Sequence, residues 1–336
     1  MKEASVQRSW TWRWGVNRWL VLTLMVLGAV AASVYPPVRP HIQLPAEPLT
    51  DVLFTLPVIG PFRVTNTLVA LFLADLLLLG AAFSVRRAMA RGDLVLRGIP
   101  GVVEALLEAL YSLTESTAGK WAGRIFPWVA TIVLLILVGN WMELIPGVDS
   151  VGFIHHIEEE GHAVRELFRI GSLPVVTVLP EEASAGYVLV PFLRAIATDL
   201  NFPLALALVS VGMTQIMGLR ALGPSYFTKF FNTKTLFTRP FFGAIDFGVG
   251  LLELVSEFSK VLSFTFRLFG NIFAGSVLLF VIGSLIPVFF QTAILLFEFF
   301  VGALQAVVFG MLTLVFMALA VAGHGEHEPA PGEGHS

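Results

Sequence analysis

Long apolar stretches constrain the fold of this chain more than any other feature of its sequence. An apolar run of about 20 residues crosses the ~30 Å hydrocarbon core of a bilayer as a helix. Backbone groups in lipid must be hydrogen-bonded within the chain, so an isolated apolar run spans the membrane as an α-helix. We therefore predict an all-α polytopic membrane protein with five to six membrane helices, the last two of them long and forming a C-terminal hairpin. The runs occupy positions 19–35, 64–85, 126–145 and 202–219, followed by two very long ones between 241 and 322 with a break near Pro287.

The composition supports this class and excludes others. Of the 336 residues, 56% are hydrophobic and only 13% are charged, too few for the surface of a soluble domain of this length. The net charge of −3 comes without a basic stripe, which argues against a nucleic-acid partner. Because there is no cysteine, disulfides and cysteine-ligated metals are excluded. We expect no cofactor and no metal, since His155, His156 and His162 beside the acidic run 158–160 offer too few convergent ligands for zinc.

The distribution of charges predicts the topology. Basic residues are concentrated in the segments 86–124 and 220–239, whereas the segment 147–201 is acidic. Positive charges favour the cytoplasmic side, so we place the two basic segments inside and the acidic one outside. Arg8, Arg13 and Arg18 keep the N-terminus inside as well. The count is then six crossings with both ends in the cytoplasm, and the segment 102–111 is predicted to be a helix along the membrane surface.

The two ends of the chain are predicted to be separate from the membrane domain at 36–322. Residues 1–35 form an N-terminal extension that is either a retained transmembrane helix or a signal peptide. The second reading rests on the basic residues before a short apolar core and on an A-x-A cleavage pattern at 29–31. Residues 323–336 are rich in His, Gly and Pro and are predicted to be disordered.

One polar stripe runs along the first of the two long helices. Its members are spaced by three, four, three, four and four residues, which is the helical period. A guanidinium remains charged in proteins, and a charged side chain at membrane depth costs about 2.5 kcal/mol or more. Polar residues that only form hydrogen bonds between packed helices do not need to be charged. The charged residues of the stripe therefore indicate an ion pathway. The stripe consists of Glu253, Ser256, Lys260, Ser263, Arg267 and Asn271.

The last helix carries a second polar pattern. Gln291, Glu298 and Gln305 are seven positions apart, so they share one face of a helix. A buried carboxyl is costly unless it has a partner or a proton. We interpret Glu298, between two amides, as a relay point for protons; a single hydrogen-bonded core glutamate is the alternative.

Three motifs carry a resemblance to a known family. The run Ser263–Gly275 (SFTFRLFGNIFAG) closely resembles the signature of subunit a of F-type ATP synthases. The run Leu304–Thr313 looks like the final-helix motif of that family. Asn140–Pro146 is similar to its N-x-[ML]-[DE]-x-[IL]-P segment. The resemblance extends from about position 57 to 322.

The resemblance implies a role for each matching residue. Arg267 is expected to be the essential arginine that faces the ring of c subunits, with Gln305 as its partner on the last helix. Glu253 is expected in the cytoplasmic half-channel. Ser256 and Lys260 coincide with polar positions of the family's long helix. The outer half-channel is expected to be lined by Asn271, Glu298 and Glu143, with Ser263 and Asp199 assisting.

The resemblance also implies the surroundings of the chain. It predicts a non-catalytic proton-translocating stator subunit in a bacterial plasma membrane, beside a c-ring and the b subunits of the peripheral stalk. Two positions depart from the family pattern. Some members carry a titratable residue where this chain has Ser276, and some carry histidine where it has Glu298. The identity of the group that passes the proton to the ring therefore stays open.

Two other classes of function were weighed against this one. A proton-coupled secondary transporter is the alternative, and it predicts inverted repeats with broken helices at matched positions, which the sequence lacks. An intramembrane hydrolase needs a GxSxG elbow, an HExxH helix or paired buried aspartates, and none is present.

Overall fold

The structure, a computed structural model, describes most of the membrane domain. Its described residues are isolated positions between 18 and 30, then 46–57, 60–91, 98–145, 148, 151–157, 161–170, 173–183, 186–230, 240–285 and 289–322. Six helices longer than two turns lie in these ranges: α1 (Asn66–Ala90), α2 (Ile99–Ala118), α3 (Ala122–Glu143), α4 (Asn201–Leu222), α5 (Pro240–Leu285) and α6 (Phe289–Ala322).

These helices confirm the prediction of an all-α polytopic membrane protein. In the described part of the chain, five helical segments are long and apolar enough to cross a bilayer: Asn66–Ala90, Ile99–Glu143, Asn201–Phe227, Phe247–Gly283 and Gln291–Ala322. The predicted break near Pro287 agrees with the end of α5 at Leu285 and the start of α6 at Phe289. The predicted crossing at 19–35 lies largely outside the described residues, although the described positions from 18 to 30 are helical. The tail 323–336 lies outside them entirely.

Local signals explain where the helices begin and end. Thr65 caps α1, because its hydroxyl accepts a hydrogen bond from the amide of Leu68 at 3.3 Å. Gly223 ends α4 with a φ of +65°, a conformation that other residues rarely adopt. The helix predicted at 102–111 is longer than expected, since α2 covers 20 residues and leads through a 3₁₀ turn (Gly119–Trp121) into α3.

Strands that the sequence analysis did not predict lie in the segment between α3 and α4. They are β3 (Gly152–Ile157), β4 (Gly161–Ile170), β5 (Leu173–Ala183) and β6 (Gly186–Pro191), whereas β1 (Phe54–Leu56) and β2 (Gly60–Phe62) form a short antiparallel pair before α1. β4 and β5 are antiparallel, from Gly161 opposite Ala183 to Ile170 opposite Leu173. Burial alternates residue by residue along β6, which is the pattern of a half-buried strand.

The chain divides into two units. The larger unit contains 43–154, 189–276 and 298–336, and the smaller one contains 1–42, 155–188 and 277–297. The core of the larger unit draws fully buried side chains from four helices: Ile125 and Val133 of α3, Met217 of α4, Leu268 of α5, and Phe309 and Leu314 of α6. A smaller cluster joins Ala70 and Ala74 of α1 to Met142 and Ile196. The smaller unit contains the β4–β5 hairpin, the C-terminal end of α5 from residue 277, and the N-terminal end of α6 up to residue 297.

Candidate functional site

The six residues of the polar stripe all lie on α5, as their spacing predicts. Arg267 is exposed, and its Nη2 donates to the hydroxyl of Ser263 one turn earlier at 3.4 Å. No carboxylate of the described residues lies within 4.0 Å of this guanidinium. Phe266, the residue directly before Arg267 on α5, is 57% exposed. α5 therefore presents a fixed positive charge on an apolar surface.

One turn after the arginine, a hydrogen bond joins the two long helices. The Nδ2 of Asn271 donates to the Oε1 of Gln305 at 3.0 Å. Gln305 is 4% exposed, and its Nε2 finds no acceptor in the described part of the chain. The bond directs the amide oxygen of Gln305 toward α5, where its partner is Asn271. The pairing of Gln305 with Arg267, which the resemblance implies, stays a prediction.

The carboxyl of Glu298 lies against the backbone of α5. A Cβ atom at Gly275 would overlap that carboxyl, so the side chain occupies space that only glycine leaves free. Glu298 is 8% exposed. The neighbouring Ser276 donates its hydroxyl to the Oε1 of Glu143, at the end of α3. Gly275 and Ser276 thus bring two carboxyl-bearing residues from α3 and α6 to adjacent positions of α5.

Two side chains of α3 hold its C-terminal end against α6. The Nδ2 of Asn140 donates to the carbonyl of Gly302 at 3.2 Å, and the indole of Trp141 donates to the carbonyl of Phe299 at 3.1 Å. The rings of Trp141 and Phe299 also stack with centroids 4.4 Å apart. These contacts fix the end of α3 and hence the position of Glu143.

Asp199 belongs to a polar network at the start of α1. Its Oδ2 accepts from the hydroxyl of Thr67 at 3.1 Å, and its Oδ1 accepts from the amide of Asn201. The backbone amide of Thr67 donates to the Oδ1 of Asn66, whose Nδ2 donates to the carboxylate of Glu47 at 3.3 Å. Glu47, Asn66 and Thr67 are buried, and the sequence analysis did not identify any of them. They have no helical spacing relative to the stripe, so no periodic signal could have found them.

The inner part of the stripe contains an ion pair that the sequence analysis also missed. The Nζ of Lys260 lies 2.8 Å from the Oε1 of Glu257 and 4.8 Å from the ring centroid of Phe316 on α6. Glu257 is buried and lies about 100° around the helix from Ser256, off the stripe. Ser256 itself is exposed and Glu253 is half-buried. Lys260 is therefore neutralised locally, in contrast to Arg267.

The comparison with known families shows the family to which the chain belongs. The model of the ATP synthase A chain family matches residues 67–318, three quarters of the chain. The chain belongs to the ATP synthase A chain family. This match contains Arg267, Gln305 and the carboxyl-bearing residues around Ser276.

The chain has curated relatives that agree with the match. It is 34% identical to ATP synthase subunit a of Moorella thermoacetica over 90 residues, 27% of this chain and 40% of the relative. It is 29% identical to ATP synthase subunit a 1 of Syntrophotalea carbinolica over 159 residues, 47% of each chain. A third relative, ATP synthase subunit a of Campylobacter concisus, is 38% identical over 80 residues, 23% of this chain and 34% of the relative. The alignments span less than half the length of these relatives.

No group of three or more histidine, aspartate or glutamate residues in the described ranges is arranged to hold a metal ion. The side chains of His155 and His156 lie outside the described residues. His162, on β4, pairs across the sheet with Tyr187.

Proposed function

We propose that this chain is the proton-conducting stator subunit of an F-type ATP synthase. In this proposal α5 and α6 face a ring of c subunits, the b subunits of the peripheral stalk hold the chain in place, and the complex lies in a bacterial plasma membrane. Membership in the ATP synthase A chain family supports the proposal. The observation that carries it is the exposed guanidinium of Arg267, which no described carboxylate neutralises.

The outer half-channel is proposed to pass Glu143, Ser276, Glu298 and Asn271. Ser276 has a hydroxyl that both donates and accepts, so it can link the carboxyl of Glu143 to neighbouring water or acid groups. Glu298 is proposed to pass the proton to the ring, because it lies on the same pair of helices as Arg267. Asp199 is proposed to assist at the outer mouth. A ring carboxyl that gains a proton here becomes neutral and can rotate into lipid, where an unpaired charge is too costly.

The inner half-channel is proposed to run along α5 from the half-buried Glu253, at the cytoplasmic entrance, past Ser256 and Lys260 toward Arg267. A ring carboxyl that returns to Arg267 meets a fixed positive charge, which favours its ionised form and releases the proton. The same charge repels protons that would cross directly between the two channels. Each proton contributes about 2.3 kcal/mol per 100 mV of membrane potential, so several drive the synthesis of one ATP. In this proposal the chain itself catalyses no step in which a covalent bond of ATP is made or broken.

The experiment that tests this proposal compares variants of Arg267 in the complete complex. The complex is reconstituted in vesicles with the wild-type chain, Arg267→Ala or Arg267→Lys, and ATP synthesis is recorded after an imposed pH step. We expect synthesis to be abolished in both variants while the complex still assembles, since an ammonium loses its proton in a low-dielectric site more easily than a guanidinium. Leu262→Ala, which shortens another exposed side chain of α5, is the control and should retain synthesis. A normal rate of synthesis in Arg267→Ala would show that the arginine is structural.

A further inference from the structure

Asp75 is an acidic residue of a membrane helix that the proposed proton path does not use. It is the tenth residue of α1, about 14 Å from the start of the helix at 1.5 Å per residue. That position is close to the middle of a ~30 Å hydrocarbon layer. The side chain is exposed and makes no hydrogen bond or ion pair with any residue that the structure describes. Nothing in the described chain offsets the cost of its charge.

Asp75 lies on the outward face of α1. The packed face of this helix carries Ala70 and Ala74, which contact Met142 and Ile196. Successive residues turn by 100°, so Asp75 points well away from that face. Phe72 and Leu79 lie within about 60° of it and are 72% and 68% exposed. A shallow groove of about 380 Å³ follows the same face, lined by Val64, Leu68, Val69, Leu71, Phe72 and Asp75.

We infer that this face of α1 docks a transmembrane helix of another subunit, which presents a lysine or arginine to Asp75. Acidic residues within membrane segments usually pair with an opposite charge, because an isolated carboxylate in hydrocarbon is costly. The apolar segment 19–35, which lies largely outside the described residues, contains no lysine or arginine, so this segment does not supply the opposite charge. The long apolar side chains around Asp75 supply the packing surface, and the carboxylate sets the depth of the partner helix.

Photo-crosslinking in the assembled complex tests the contact without changing Asp75. A benzophenone amino acid replaces Phe72, which is on the docking face, or Leu77, which is 49% exposed and about 160° around the helix from Asp75. After illumination of native membranes, the crosslinked peptide is identified by mass spectrometry. We expect position 72, and not position 77, to capture a transmembrane segment with a lysine or arginine near mid-membrane. Capture of lipid alone, of the segment 19–35, or of a helix without a basic residue would overturn the inference.

Charge exchange tests the ion pair itself. With Asp75→Lys we expect about three- to tenfold less of the captured partner to co-purify, the range measured for polar contacts between membrane helices. Replacing the partner's basic residue by aspartate should restore co-purification of that variant. Unchanged recovery of the partner with both Asp75→Leu and Asp75→Lys would refute the pairing. This inference rests on the proposed function, because the sample is the assembled complex. The crosslink is detected by mass spectrometry and does not depend on proton transport. A failure of the docking inference can therefore be distinguished from a failure of the proposed function.

Discussion

At the scale of single residues, the site depends on one position that has no side chain. The carboxyl of Glu298 fills the space beside Gly275, and the next residue of α5 reaches Glu143 through a hydroxyl. The glycine therefore helps to set the position of the Glu298 carboxyl, because a Cβ atom at residue 275 would displace that carboxyl. The helix period identified Glu298 as a candidate, but a single glycine is no such signal, because small residues are also common wherever membrane helices pack closely.

The substitution Gly275→Ala should therefore impair proton transfer without removing a polar group. We expect the added methyl to move the Glu298 carboxyl away from α5 and to lower proton-driven ATP synthesis by at least about tenfold, a change of 1.4 kcal/mol in the barrier. Vesicles containing the complete complex, given a pH step, provide the measurement. The matched control is Gly248→Ala, far from Arg267 on the same helix, where a Cβ meets no atom within 4 Å and activity should be retained. Equal activity of the two variants would argue against a role for the position of this carboxyl.

At the scale of elements, α6 approaches α3 closely at two glycines. A Cβ at Gly302 would lie 3.1 Å from the Cβ of Asn140, and a Cβ at Gly310 would overlap the side chain of Val133. Small residues allow such close packing of membrane helices, where dispersion and interhelical hydrogen bonds replace the hydrophobic effect. The hydrogen bonds from Asn140 and Trp141 to carbonyls of α6 require the same short separation.

We predict that Gly310→Ala weakens the packing of α3 on α6. The extra methyl must displace Val133, and overpacking of this kind costs about 1–3 kcal/mol. Thermal unfolding of the purified chain in detergent should show a lower midpoint for this variant. Gly212→Ala on α4 has open space at its Cβ and serves as the control, with a midpoint at or slightly above that of the wild type. A midpoint for Gly310→Ala equal to that of Gly212→Ala would contradict the tight contact.

At the scale of the whole molecule, the charge distribution and the helices define a topology. The basic segments follow α1 and α4 in the sequence, and the acidic segment with β3–β6 lies between α3 and α4 in the sequence. From the tendency of basic residues to remain on the cytoplasmic side, we predict that the strands are outside. Among the acidic residues of this segment, Glu166 lies on β4, and Glu181 and Glu182 lie on β5.

Single cysteines test this topology, because the natural sequence contains none. Leu167→Cys places a thiol at an exposed position of β4, and Arg87→Cys places one at the exposed basic end of α1. In intact cells we expect a membrane-impermeant maleimide to label the first variant and not the second. Both variants should react after permeabilisation, which is the control for thiol accessibility. Labelling of Arg87→Cys in intact cells would invert the assigned orientation.

Much of this architecture was predictable from local signals in the sequence. The length of each apolar run predicted the membrane helices, and the spacing of three and four placed Arg267 and Asn271 on one face of α5. Both signals are local, since hydrophobic length and the helical period depend only on residues within a few turns. The strand β6 was missed because only its burial alternates, whereas its sequence between Gly186 and Pro191 is apolar at every position and has no period-two signal.

The sequence by itself therefore determined that this chain spans a membrane and that α5 carries a charged stripe. Only the tertiary structure decided which side chains meet. The bond between Asn271 and Gln305, the bond between Ser276 and Glu143, and the contact of Glu298 with α5 each join residues far apart in the sequence. The helical period fixes the face on which a side chain lies but not the neighbour that the face meets. The packing of small and large residues between helices sets how each helix is rotated about its axis and how far it is shifted along its neighbour.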